Sequence, residues 1–176
     1  MKVFVIVGMP ASGKNIARDY AHLKGYPYFA TGDIVRAEVR RRGLPADPQS
    51  TARVSDELRG YDGMGVTRLA LKTALAEESP LVFLEGMRSW PEIGLIAGQA
   101  ECRVVAFLAP RATRKQRILS RGRADDAPDA FDGRDQREIS YGTAVPIALA
   151  DEYILNSGTM EDALAALDAA VQRHLV

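Results

Sequence analysis

The sequence predicts an α/β protein built on an open, mainly parallel sheet in a three-layer arrangement. Three observations carry this. Short apolar runs alternate with stretches of helical period along the chain. The first run, Val3-Phe4-Val5-Ile6-Val7, is apolar without alternation, which suits a central parallel strand covered on both faces. That run leads straight into Gly8-Met9-Pro10-Ala11-Ser12-Gly13-Lys14-Asn15, and a helical pattern follows.

Strand, glycine loop and helix in that order have a chemical meaning. A loop that aims successive backbone N–H groups inward binds a polyanion. Gly8 and Gly13 permit the tight backbone and the close approach, and the helix start adds orphan N–H groups and a positive dipole end. Lys14 is placed to reach the β- and γ-phosphates of a nucleotide. The pattern wants Ser or Thr next, to hold Mg²⁺ through a hydroxyl. Asn15 stands there instead, offering an amide oxygen on a longer side chain. An ordinary strand-turn-helix would use the same glycines, but not the lysine.

Composition narrows the class. The chain has 176 residues, enough for one domain with a full core. It is 47% apolar and 26% charged, with a net charge of zero, so no global field favours nucleic acid or an anionic membrane. The 23 basic residues are five Lys and eighteen Arg, and Arg suits bidentate phosphate recognition. The single cysteine, Cys102, excludes an internal disulfide and reads as a core residue in a reducing compartment. No apolar run reaches membrane-spanning length, and the first residues lack a signal-peptide pattern, so a cytoplasmic location is expected.

The elements follow in order. After the first strand, a helix is expected from about Gly13 to Leu23, ended by Gly25. Tyr26–Ala30 is a short second strand, Thr31-Gly32-Asp33 a turn, and Asp33 a cap for a helix from Ile34 to about Arg42. Helices follow from about Gln49 to Leu58 and Val66 to Glu78, the latter with Val66, Leu69, Ala70 and Ala74 on one face. These helices exceed what one crossover needs, so about 32–78 is a candidate acceptor-binding insertion. Leu81–Glu85 is the third strand, Trp90 to Ala97 a helix, and Cys102–Leu108 the fourth strand. A basic helix spans about Thr113–Arg121. The stretch 121–135, rich in Asp, Arg, Gly and Pro, reads as a mobile surface segment. A helix to about Leu149, bent at Pro146, precedes a last strand at Tyr153–Asn156 and a final helix with Met160, Leu164, Leu167 and Val171 in phase.

In parallel α/β sheets the ligand sits at the carboxyl ends of the strands. Lys14, Asp33, Glu85 and Arg88 should therefore converge. Gly32 leaves room for a ligand beside the backbone, and Arg36 lies one turn beyond Asp33, where a guanidinium could fork onto a phosphate. Asp33 could orient an acceptor or act as general base; it could equally be a plain cap. Glu85 could hold a water on Mg²⁺, with Gly86 making room and Arg88 aimed at the cleft. Arg117, Arg121, Arg123, Arg134 and Arg137 bracket the mobile segment; their alternative is a solvated, salt-bridged surface. Arg36 and Arg40 to Arg42 lack interleaved aromatics, which argues against an RNA-binding patch. His22 and His174 have no metal-ligand spacing with the cysteine.

Thr31-Gly32-Asp33-Ile34-Val35-Arg36-Ala37 looks like the acceptor-side motif of adenylate kinases. Glu85-Gly86-Met87-Arg88 resembles their strand-three motif, with Glu for Asp. Arg121-Gly122-Arg123, Arg134-Asp135 and Arg137-Glu138 look like lid arginines, and Ala150 to Gly158 is similar to the end of dephospho-CoA kinases. Together these resemble an archaeal family of P-loop nucleotide kinases related to adenylate, cytidylate and dephospho-CoA kinases.

The resemblance implies one P-loop kinase domain over 1–176, with a five-stranded parallel sheet and a lid at about 121–135. It implies ATP and Mg²⁺ as cofactors. The donor loop is Gly8, Met9, Pro10, Ala11, Ser12, Gly13, Lys14 and Asn15, with Asn156 in the donor base region. Thr31, Gly32, Asp33, Arg36, Gly86 and Arg88 hold the acceptor, and Arg121, Arg123 and Arg134 the transferring group. Asn15 and Glu85 serve the metal. The expected reaction is phosphoryl transfer to a nucleoside monophosphate or similar phosphorylated acceptor, by a monomer or homodimer without membrane partners. A hydroxyl acceptor with Asp33 as base is the alternative enzyme. A nucleotide-responsive binding module, weakened in catalysis by Asn15, is the alternative of another class.

Overall fold

The computed structural model describes residues 1–121 and 130–175. Five parallel strands form one sheet in the order β2-β3-β1-β4-β5. They are β1 (Lys2–Val7), β2 (Tyr28–Ala30), β3 (Leu81–Glu85), β4 (Glu101–Leu108) and β5 (Glu152–Leu155). Between and after them lie α1 (Asn15–Lys24), α2 (Thr31–Arg41), α3 (Pro48–Arg59), α4 (Gly65–Leu75), α5 (Trp90–Ala97), α6 (Arg111–Arg121), α7 (Ala130–Ser140), α8 (Ala144–Ala148) and α9 (Met160–Leu175).

The unbroken apolar run of β1 has the cause the sequence suggested. The strand is central, flanked by β3 and β4, and its alternate side chains enter two different cores. Phe4 and Ile6 pack with Phe83, Phe107, α1 and α9 on one face. Val3, Val5 and Val7 pack with Leu84, Val104, α4 and α5 on the other. The α/β architecture in three layers is thus as expected. A third, smaller cluster of Val35, Val39, Val54 and Val66 holds α2, α3 and α4 together beyond the edge strand β2. That cluster lets the helical insertion keep its own shape beside the strand ends.

Several local expectations are corrected. Helix α2 starts at Thr31, directly after β2, so Asp33 lies in the first turn rather than at the cap. In α4 the inward residue is Leu71, 1% exposed, while Leu69 points out at 42%. A period of 3.6 accommodates both positions, and only the contact with β3 and α5 chooses between them. The break near the chain's end falls at Tyr141–Thr143, between α7 and α8, and Pro146 sits inside α8. The lid stretch 121–135 is half helix: α7 begins at Ala130, and Phe131 is buried. The remainder of that stretch, with Arg123, lies outside the described residues. Cys102 is partly buried, and burial, with the Asp151 carboxylate, pushes its thiol up to about 11, so it stays protonated at neutral pH.

Phe83 is the aromatic centre of the α1/α9 face. Its ring centroid lies 5.6 Å from Phe4, 6.0 Å from Tyr20 and 6.3 Å from Tyr28. Phe83→Ala should cost about 3–5 kcal/mol. Urea unfolding should show the midpoint falling with an unchanged slope.

Candidate functional site

The glycine loop, residues 8–14, joins the carboxyl end of β1 to α1. Its backbone is strained. Ala11 has φ +60°, in the left-handed region that a Cβ disfavours. Gly13 has φ +103°, and a Cβ there would lie 1.9 Å from the Asn156 amide nitrogen. Glycine is therefore required at 13 by contact as well as by conformation.

Side chains from distant elements hold this loop by its carbonyls. Asn156, just after β5, is 4% exposed, and its Nδ2 donates to Ser12 O at 2.9 Å. Arg114 on α6 donates to Pro10 O at 3.1 Å. Arg117, one turn later, donates to Ala11 O at 3.3 Å and to Asn156 O at 3.0 Å. Lys14 Nζ folds back onto Gly8 O at 2.8 Å and Met9 O at 3.3 Å. Burial lowers the Lys14 pKa, an effect partly offset by the Glu85 and Glu138 carboxylates. An arriving anion would raise it again. The Ser12 hydroxyl is buried and has no hydrogen-bond partner among the described residues.

Beside the loop lies a cleft of about 420 Å³, lined by Gly8, Pro10, Lys14, Asn15, Glu85 and Arg88 among others. It shares Thr31, Gly32, Arg36, Gly86 and Arg88 with a second pocket of about 210 Å³ under α2 and α3. That pocket adds Thr51, Ser55 and Arg59 from α3, with Val35 and Val66 as an apolar wall. Gly86 has φ +104°, and a Cβ there would lie 2.0 Å from Thr31 Oγ1, so the floor shared by the two cavities admits no side chain. A shallower recess behind the loop is lined by Ala11, Gly13, Arg117, Asn156 and Gly158.

Of the predicted residues, Gly8, Pro10, Lys14, Asn15, Thr31, Gly32, Arg36, Glu85, Gly86 and Arg88 line the cleft beside the loop, while the side chain of Arg121 and all of Arg123 lie outside the described residues; several of those that line it are already engaged. Asp33 accepts from Arg36 at 2.6 Å and from Arg18 at 2.9 Å. Burial would raise the Asp33 carboxyl, but the two guanidiniums win and hold it below the usual carboxylate range. Glu85 accepts from the Tyr28 hydroxyl at 2.7 Å. Arg88 donates to Glu138 at 3.1 Å and lies over the Tyr141 ring at 5.1 Å. Arg134 is on α7. Asn156 braces the loop and borders the rear recess.

Sequence reasoning missed Arg18, Arg59, Arg114, Glu138 and Tyr141 as site residues. Arg114 is 6% exposed and bidentate to Asp135, at 2.7 Å and 2.5 Å, with its guanidinium 5.2 Å from the Phe131 ring. The one available signal was its phase. Arg114, Arg117 and Ile118 share a face of α6, so that face must turn inward.

Replacing Ala11 by Gly should relieve the left-handed strain. Stability should rise by up to about 1 kcal/mol, lifting the melting temperature by roughly 2–4 °C in a chain of this size. A drop on calorimetry would mean that the loop does not hold Ala11 in that conformation.

No protein-family model matches the chain. It is 36% identical over 168 residues to a UPF0200 protein of Thermococcus gammatolerans, covering 91% of this chain and 88% of that one. It is 32% identical over 180 residues to a UPF0200 protein of Methanocaldococcus jannaschii, covering 99% and 91%. Among solved structures it resembles TT1252 from Thermus thermophilus with a TM-score of 0.69 at 22% identity, over 99% of this chain and 97% of that chain. It resembles shikimate kinase from Acinetobacter baumannii in complex with shikimate at 0.59 and 15% identity, over 99% and 92%. The fold is that of the P-loop kinases, which is coarser than the adenylate-kinase likeness of the motifs. With its length matched to archaeal relatives above 30% identity, the chain belongs to the UPF0200 family.

Proposed function

We propose that this protein transfers the γ-phosphoryl group of ATP to a small acceptor that already bears a phosphate, a nucleoside monophosphate or a close analogue. One observation carries the reading. Arg36, Arg59 and Arg88 border a single pocket that opens, through Gly32 and Gly86, into the cleft of Lys14. Guanidiniums gathered beside a strand end, two of them paired only with partly exposed carboxylates (Arg36 with Asp33, Arg88 with Glu138), suit an anionic acceptor that can exchange with those partners. The Val35 and Val66 wall and the Thr51 and Ser55 hydroxyls suit a flat polar ring beside it.

In this reading the loop N–H groups and Lys14 hold the donor phosphates, and Arg36 and Arg88 hold the acceptor phosphate. The recess lined by Arg117 and Gly158 takes the donor base. Residues 32–78 form the acceptor-binding insertion, and Arg134 serves the transferring group from the lid side. The protein's contribution is alignment and charge neutralisation, since phosphoryl transfer leaves it little covalent chemistry. Mg²⁺ fits the donor set: Asn15 and Glu85 both border the cleft, and the ion needs one or two protein oxygens, waters and substrate phosphates. Asn15 would hold it through its amide oxygen and Glu85 through water. Bound there, the ion would offset the charge of the donor phosphates.

The electrostatics of Asp33 weigh against a hydroxyl acceptor. A carboxylate paired with two guanidiniums is a weak base, and a phosphate acceptor needs none. A coupled ADP-release assay across the common monophosphates should find at least one substrate. Arg88→Ala should then lower kcat/KM by about 10²–10³, as losing a charged contact to the transferring or accepting group does. Asp33→Asn should lower it by less than about tenfold; a loss of several orders in turnover with binding intact would favour the hydroxyl acceptor.

Asn15→Ser supplies the hydroxyl that the loop pattern calls for. Turnover should rise, and the Mg²⁺ concentration at half-maximal rate should fall. Tight ATP binding with no turnover in either form would favour a nucleotide-responsive binding module.

A further inference from the structure

Helix α7 touches both halves of the cleft with one face. Phe131, Asp135 and Glu138 fall at i, i+4 and i+7, a single stripe. The first two grip Arg114, which holds the glycine loop at Pro10 O. The third reaches the other side. Glu138 Oε2 accepts from Arg88 Nε at 3.1 Å and from Thr143 Oγ1 at 3.3 Å. Its carboxylate borders the same cleft as Lys14 and is only 22% exposed.

A carboxylate is the nearest protein mimic of a phosphate edge. It has the same sign of charge, and its paired oxygens suit the same guanidinium fork. Arg88 needs such a partner when no ligand is present, because a half-buried guanidinium without a counter-ion is costly. Its side chain is 35% exposed and stacked on Tyr141, so it cannot simply swing into water.

We propose that Glu138 is an internal competitor for the acceptor's phosphate: it holds Arg88 in the empty protein, and the incoming phosphate displaces it. This rests on the reading of Arg88 as an acceptor-phosphate ligand. It makes Glu138 a determinant of affinity and selectivity. An acceptor must outbid a carboxylate already in place, which a phosphate dianion does and a weakly charged analogue does not. Removing the charge at 138 should tighten phosphate binding. A residue that merely oriented Arg88 would do the reverse.

The test is calorimetric titration of the whole chain with adenosine monophosphate and with inorganic phosphate, without ATP. Glu138→Gln keeps the shape and the Thr143 contact. It should bind both probes roughly 3–10-fold more tightly, within the range of coupling between neighbouring charges. In an Arg88→Ala background the same change should give no gain, since the competition runs through Arg88. Glu138→Asp, whose shorter arm draws the carboxylate back, should fall between wild type and Gln and covers the case in which Gln disturbs α7. Unchanged or weaker binding in Glu138→Gln overturns the proposal, as does an equal gain with and without Arg88. The kinase reading fails separately. If no monophosphate consumes ATP and the Arg88-dependent gain is still measured, Glu138 competes at an anion site of another purpose.

Discussion

The structure depends on how the glycine loop's carbonyls are satisfied. A loop that turns its N–H groups toward an anion must turn its C=O groups away from it, and those need donors of their own. Here Pro10, Ala11 and Ser12 receive theirs from Arg114, Arg117 and Asn156. The donors come from α6 and from the end of β5, more than 100 residues further along the chain. The glycine loop is thus held in place from the far half of the chain, by α6 and the end of β5. This explains why Ala11 can persist at φ +60°: neighbours that fix the carbonyl on each side over-determine a backbone that alone would relax.

The same clamp changes how the arginines are counted. Eighteen guanidiniums suggested a surface rich in phosphate ligands. Arg114 is buried against Phe131 and Asp135, and Arg117 lies along the loop's outer side, where it also borders the rear recess. Arg114 acts as structure, with its charge neutralised at short range by Asp135. An Arg–carboxylate pair of this kind adds little net stability over an apolar pair. It does tie the loop's position to α7 through Arg114.

The sheet, the loop and the convergence of Lys14, Glu85 and Arg88 were legible in the sequence, because each rests on a local signal; Asp33, expected to converge with them, is held by Arg18 and Arg36 instead of lining the cleft. Unbroken apolar runs mark buried parallel strands, and glycines mark places where another group comes close. What was not legible depends on distance. Asn156 reads as a turn residue until Ser12 is placed beside it. Asp33 reads as a helix cap until Arg18, on another helix, is seen to share it. The choice of Leu71 over Leu69 needs the neighbouring strand. The acid-rich stretch before Arg134 suggested a loop throughout, yet Phe131 seeds a helix there because its ring has two guanidiniums to cover. Charge density hid one buried aromatic.

These partnerships also explain why the cleft can gather so many cations. A cluster of guanidiniums around an empty cavity would repel itself and weaken the fold. The chain supplies its own counter-ions: Asp33 for Arg18 and Arg36, Glu138 for Arg88, and Glu85 within 3.9 Å of Arg18. Each pair is partly exposed, so each is modest in strength and exchangeable. A stronger, buried set would stabilise the empty state so well that no substrate could replace it. A weaker set would leave the cations unpaired and the pocket ill-shaped. In the proposed reading, selection for phosphate would follow from a difference in charge rather than from new contacts alone, since an incoming dianion brings two negative charges where a side-chain carboxylate brings one. The balance of acids and bases in the chain, net zero overall, is in this sense a property of the cleft as well as of the surface.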